Sequence, residues 1–289
     1  MFDQAQALRE KIKNHAKVPL KQTRIVTVTS GKGGVGKSNF SLNFALGLIG
    51  AGKKVVILDV DLGLANIDVL MGLTPQSYLY EIIEKGKTVW DVLEKGPNGL
   101  EFISGGTGFN QILQLNDFQL NQFLEKMSAL NGYADFIIID TGAGLSKESL
   151  RFITAADDVV LVTTPEPTSI TDAYAVVKIV HSKDPDVRFK MVVNRVSNNR
   201  EGKNAYDKIA LVSKRFLNMD IVSLGFVPDD AHVPKAVKKQ TPFILAYPAA
   251  MASLGVKDLV TNYLEGTNQS VYLPQGVRGF LKRMMNHIK

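Results

Sequence analysis

The chain has 289 residues, of which 45% are hydrophobic and 21% charged, with a formal charge of +6, four histidines and no cysteine. That balance supplies apolar material for a core and excludes disorder throughout, while the missing cysteines exclude disulfides, thiolate metal sites, iron–sulfur ligation and cysteine nucleophiles. The excess charge sits at the ends, +4 over residues 1–24 and +4 over 276–289, which leaves a slightly acidic body and argues against a nucleic-acid-binding face across it.

Residues 1–24 carry six basic and two acidic side chains without an apolar run, unlike a secretory leader. No stretch reaches the roughly 18 apolar residues of a membrane-crossing helix, so the expected location is the cytoplasm. Residues 1–20 read as a helix and a lysine-bearing tether broken at Pro19, 21–268 as the main domain, and 269–289 as a linker and final helix. Runs at Ile25–Thr29, Val55–Leu58, Phe136–Ile139, Val159–Val162, Met191–Val193 and Ile221–Val227 read as strands, separated by segments long enough for crossover helices. Near-continuous apolar strands alternating with helices predict an α/β fold: a doubly wound, mainly parallel sheet with helices on both faces.

The first strand runs into Gly31-Lys32-Gly33-Gly34-Val35-Gly36-Lys37-Ser38-Asn39, whose first eight residues have the P-loop spacing, and Ser38–Leu48 continues with helical apolar spacing. Glycines let the backbone wrap closely enough for its N–H groups to face phosphate oxygens, and a helix N-terminus adds its positive end. Lys37 is expected at the β- and γ-phosphates, with the Ser38 hydroxyl on Mg²⁺. The alternative is a glycine-rich turn without a ligand. Downstream, Asp59 and Asp61 end the second strand, where ligands of open α/β sheets bind; as a bare pair they also suit a turn or helix cap. Asp140 closes a buried-strand run as a Walker B carboxylate for Mg²⁺. Asn194 and Arg195 end a later strand, where an amide can pair with adenine. His15, His181, His232 and His287 lack ligand spacing and receive no role.

The heptad Lys-Gly-Gly-Val-Gly-Lys-Ser resembles the deviant Walker A loop of the MinD/ParA family of ATPases. The resemblance implies an ATP/ADP-binding switch that forms a nucleotide-sandwich homodimer, in which Lys32 reaches the partner's ATP. It implies that Asp61 positions the attacking water, that Asp59 lies near the Mg²⁺ shell, and that Pro228 and Asp229 line the adenine pocket. Thr141-Gly142-Ala143-Gly144 resembles the family's second switch, with glycine at Gly142 where MinD has proline.

At the end of the chain, Val277, Phe280, Leu281, Met284, Met285 and Ile288 form one apolar stripe on a helix, flanked by Arg278, Lys282, Arg283 and Lys289. Such a helix suits an anionic membrane surface and resembles the membrane-targeting tail of MinD; the alternative is a helix docked on the body or on a partner. At the other end, Asp3-Gln4-Ala5-Gln6-Ala7-Leu8-Arg9 resembles the Asp-Gln-Ala-x-x-Leu-Arg motif of the FlhG (YlxH) branch of this family, regulators of flagellar number. That likeness implies that Asp3, Gln4, Leu8 and Arg9 engage the GTPase FlhF, Gln4 and Arg9 stimulating its hydrolysis, with flagellar C-ring switch proteins as further partners. A cell-division role like that of MinD, or a DNA-partitioning role like that of ParA, is the competing expectation.

Overall fold

The continuous apolar runs become strands that are buried along their length: Arg24–Thr29, Val55–Val60, Phe136–Thr141 and Asp158–Thr163 have no exposed position. Strands covered on both faces by crossover helices require this pattern instead of alternation. The computed structural model describes residues 22–61, 66–106, 116–268 and 274–286. In chain order the elements are β1 (Arg24–Thr29), α1 (Lys37–Gly50), β2 (Val55–Val60), α2 (Ile67–Met71), α3 (Glu81–Glu84), α4 (Val89–Val92), β3 (Glu94–Lys95), β4 (Glu101–Ser104), α5 (Asp117–Met127), β5 (Phe136–Thr141), α6 (Lys147–Ala155), β6 (Asp158–Thr163), α7 (Pro167–Lys183), β7 (Phe189–Val196), α8 (Asn199–Leu217), β8 (Val222–Pro228), α9 (His232–Lys238), α10 (Phe243–Ala246), α11 (Met251–Asn268) and α12 (Gly276–Asn286).

The sheet order is β3-β4-β2-β5-β1-β6-β7-β8, and every neighbouring pair is parallel except β3 and β4. Successive strands fill one side of β1 as far as β5 and the other side from β6 onward. The order therefore reverses beside β1, and the crevice at the carboxyl end of β1 is where this topology binds ligands. On one face α1 and α11 pack Phe44, Leu48, Val256 and Tyr263 over Val26, Val28, Ile138 and Val160. On the other, α7 and α8 cover Val159, Leu161, Met191 and Val193.

The amino-terminal edge of the sheet holds a buried ionic cluster. Asp158 is 2% exposed and accepts from Arg24 Nη1 and the Tyr263 hydroxyl, each at 2.9 Å, with Lys190 Nζ at 3.3 Å. Burial pushes the Tyr263 phenol well up, with the Asp158 charge adding to it, so the hydroxyl stays a donor. A fully partnered cluster of this kind fixes α11 against β1, β6 and β7; removing one member would strand a buried charge.

The C-terminal helix takes the docked alternative that its apolar stripe also allows. Val277, Phe280, Leu281 and Met284 are 2–4% exposed and join Ile25, Ile137, Phe123, Met127 and Phe152 in one core cluster. The reason is complementarity: α12 lies between α5 and α6 over the face of β1, and a stripe that fits a bilayer boundary fits an apolar sheet face equally well. Polar clasps hold it there. Val277 N donates to Asn131 Oδ1 at 3.1 Å, and Gln275 N and Arg283 Nη2 donate to Asp157 Oδ1 at 3.1 and 3.2 Å. A cavity of about 30 Å³ with an apolar lining remains beneath the helix. Arg278 and Lys282 are exposed, while Ile288 and the side chain of Met285 lie outside the described residues.

Candidate functional site

The P-loop turns where glycine permits it. Gly34 and Gly36 have φ of 78° and 89°, in the left-handed region that side chains resist. Gly36 is also the residue before α1, so the amides of Lys37 and Ser38 open the helix toward the crevice. Two further approaches shape the loop: a Cβ on Gly31 would overlap the Asp172 carbonyl group of α7, and one on Gly36 would stand 2.5 Å from Asn194 Nδ2.

Lys37 is buried, with Nζ 2.9 Å from Asp140 Oδ1 and 3.4 Å from Ser38 Oγ. The parallel register of β2 and β5 sets Asp59 directly beside Asp140. Asp59 Oδ1 accepts Asp61 N, and Oδ2 accepts Asn66 N and Ile67 N. Burial, with the Asp140 charge behind it, pushes the Asp59 carboxyl up to about 7. Asp140 Oδ1 also accepts the Ser41 hydroxyl at 2.7 Å, while Asp140 Oδ2 is buried with no hydrogen-bond partner among the described residues.

These features fit a magnesium nucleotide. Two adjoining buried carboxylates, one with an orphaned oxygen, make a place that a divalent cation and its waters would neutralise. No cluster of three or more His, Cys, Asp or Glu exists among the described residues. Such residues would suit a hard ion that keeps much of its water and takes few protein ligands, instead of an all-protein cage.

The Thr141–Gly144 segment lies against the loop. Gly144 N donates to Ser30 O at 3.0 Å, Thr141 Oγ1 donates to Val28 O at 3.0 Å, and Ala143 Cβ is 3.7 Å from where a Cβ on Gly33 would be. A Cβ on Gly142 would lie 3.4 Å from Asp61 Oδ1, so the segment after β5 meets the end of β2 at Asp61. Lys32 points away from this centre: its half-exposed Nζ is 3.1 Å from Thr168 Oγ1 and 3.5 Å from Glu166 at the start of α7.

Beside the loop opens a cleft of about 680 Å³ whose lining includes Gly36, Asn39, Asn194, Arg195, Pro228 and Asp229. That volume suits a small ligand, and the cleft brings together the six residues from three separate segments of the chain. Asn194 Nδ2 donates to Val35 O at 2.8 Å, tying the cleft wall to the P-loop. Arg195 has φ of 57° where the β7–β8 register slips, a strained backbone of the kind that collects at ligand sites.

Sequence reasoning missed Ser41, one helical turn beyond Lys37, although that spacing alone places it on the same side of α1. Glu166 and Thr168 were missed too; their position just after a strand's carboxyl end was the available signal. Asp3, Gln4, Leu8 and Arg9 lie outside the described residues. No helix among the described residues is long and apolar enough to cross a membrane.

Comparison with known proteins agrees with this geometry. The ParA family model, described as NUBPL iron-transfer P-loop NTPase, matches residues 21–264. Antiactivator FleN of Pseudomonas aeruginosa is 38% identical over 268 residues, covering 91% of this chain and 94% of that protein. The flagellum site-determining protein YlxH of Helicobacter pylori is 32% identical over 271 residues, covering 92% of this chain and 91% of that protein. Among solved structures, the septum site-determining protein MinD complexed with Mg-ADP from Pyrococcus horikoshii matches with a TM-score of 0.68 at 22% identity, covering 86% of this chain and 100% of that one. Residues, topology and relatives converge: the chain belongs to the MinD/ParA family of P-loop NTPases, in the branch of FleN and YlxH, the FlhG type.

Proposed function

We propose that this chain is an ATP-hydrolysing, dimerising switch that binds the inner face of the cell membrane in its ATP state and regulates the number and placement of flagella. The observation that carries the reading is the buried Lys37–Asp140 pair under a left-handed glycine loop, with a second lysine, Lys32, left half-exposed at the loop's mouth. Lys37 exchanges Asp140 for the β- and γ-phosphates when ATP enters, the loop amides hold the remaining phosphate oxygens, and the cleft of Asn194, Arg195, Pro228 and Asp229 takes the base. Ser38, with Asp59 and Asp140 nearby, would hold Mg²⁺, which would supply neutralisation of phosphate charge. Asp61 accepts a hydrogen bond from the attacking water and aims it. The water oxygen bonds to the γ-phosphorus as the bond to the bridging oxygen breaks, giving ADP and phosphate.

In the dimer, Lys32 releases Glu166 and Thr168 and meets the partner's phosphates, where its charge offsets that of the transition state. The membrane step requires α12 to leave its slot and lay its stripe on anionic lipid, with two tails per dimer turning weak attachment into firm attachment. The flagellar assignment rests on the names borne by the FleN and YlxH relatives and on the N-terminal heptad. Through that heptad the chain docks on FlhF and stimulates its GTPase; C-ring switch proteins are further partners.

Three measurements test the proposal. Calorimetry with ATP and Mg²⁺ is expected to show binding to the parent chain and none to Lys37→Gln. Asp61→Ala is expected to elute as a dimer with ATP; a monomer at saturating ATP would remove the switch. A pull-down on FlhF, with and without residues 1–20, decides the branch-specific partner: capture that survives the truncation would overturn it.

A further inference from the structure

Within this ATPase reading, one buried hydroxyl is left without a task. Ser41 is 0% exposed and lies one turn beyond Lys37 on α1. Hydroxyls inside helices ordinarily bond back to the carbonyl four residues earlier. Elsewhere in this protein Thr154, Thr171 and Thr261 do so, bonding the carbonyls of Leu150, Pro167 and Lys257 at 3.0–3.1 Å. Ser41 instead donates across to Asp140 Oδ1 on β5, at 2.7 Å.

We propose that Ser41 is a positioning residue for Asp140: it pins Oδ1 so that Oδ2 remains the acceptor offered to the magnesium-bound water. Asp140 Oδ1 has two donors, Lys37 and Ser41, and Oδ2 has none among the described residues. Lys37 is also the cation that phosphates claim. Once a nucleotide draws Nζ away, Ser41 is the donor still holding a carboxylate that is 0% exposed and stands beside a second one, Asp59. Without that hydrogen bond, Asp140 can turn away from Asp59 and present neither oxygen in a fixed direction. Ser41 touches neither nucleotide nor metal in this account; it acts through Asp140, so its effect appears only when magnesium is present.

The inference rests on the nucleotide reading above, and the experiment separates the two. Calorimetry measures ADP affinity of the full chain with Mg²⁺ and with EDTA, for the parent, Ser41→Ala and Ser41→Thr. The expected result for Ser41→Ala is a loss of about tenfold in the magnesium-dependent gain of affinity, the lower end of what disturbing the outer shell of a metal site costs, with the EDTA affinity unchanged within about twofold. Ser41→Thr keeps the hydroxyl and is expected to keep the gain. In an Asp140→Asn background, Ser41→Ala is expected to add no further loss, the sign of two residues acting as one. Should Ser41→Ala not fold, Ser41→Cys, close in volume and a weak donor, reads the same ratio. A Ser41→Ala chain with its magnesium gain intact, or one whose two affinities fall by the same factor, overturns the proposal. A parent chain that binds no ADP, or binds it indifferently to Mg²⁺, overturns the nucleotide reading and this inference with it.

Discussion

At Gly36 two demands meet at one Cα. The backbone is left-handed, and Asn194 Nδ2 occupies the space that a side chain would need. Gly36→Ala is therefore expected to destabilise the fold by about 1–2 kcal/mol from the backbone alone and to push Asn194 off the Val35 carbonyl. Thermal melts and ADP calorimetry check this; unaltered ADP affinity would mean that the cradle tolerates a side chain. Lys32 makes a contrasting case. Its contacts with Glu166 and Thr168 are exposed, and such pairs contribute at most about 1 kcal/mol, so Glu166→Ala should leave stability nearly unchanged. In the proposed dimer Lys32 must leave Glu166, so Glu166→Ala should lower the protein concentration at which ATP produces dimers, measured by light scattering; an unmoved or raised midpoint would deny Glu166 a restraining part. These residues differ in how far the sequence revealed them. Gly31 to Ser38 could be read because the loop's chemistry is local, set by spacing along a few residues. The Asp59–Asp140 contact could not be read as a contact, since it exists only through pairing of β2 with β5, and the bond from Asn194 to Val35 joins residues 159 apart.

The same contrast holds for elements. Strands β1, β2, β5 and β6 declare themselves as runs rich in β-branched and apolar residues, whereas β4 has four residues and β3 two, too few for periodicity to distinguish them from a turn. Helix α12 shows why an amphipathic pattern underdetermines its environment: the stripe specifies that something apolar must cover it, and both a bilayer boundary and the face of β1 qualify. Its docked state has an energetic consequence. Phe280 stacks on Phe152 with ring centres 6.2 Å apart, and truncating a buried Phe to Ala typically costs about 3–5 kcal/mol. Phe280→Ala is accordingly expected to lower the denaturation midpoint of the whole domain, read by circular dichroism. A midpoint equal to that of the parent would show that α12 is not part of the folded core in solution.

At the scale of the whole molecule, α12 buries its one apolar stripe on the body, so the proposed lipid binding must compete with docking. A ligand shifts such an equilibrium only by its difference in affinity for the two states, and lipid must offset both the buried stripe and the Asp157 clasp. Asp157 separates these contributions because it touches the docked tail and has no part in the lipid contact: Oδ1 receives Gln275 N and Arg283, while Oδ2 receives Ile25 N at 2.9 Å. Asp157→Asn retains an acceptor for Ile25 but weakens the charged grip on Arg283. The expected outcome is greater sedimentation with anionic vesicles in the absence of ATP, together with faster amide exchange in α12. Phe280→Ala should behave oppositely on vesicles, losing attachment in every nucleotide state, because Phe280 serves both places. If Asp157→Asn accelerates exchange in α12 yet leaves vesicle binding untouched, release of the helix does not limit membrane attachment; if both variants lose vesicle binding alike, docking and lipid binding do not compete for the stripe.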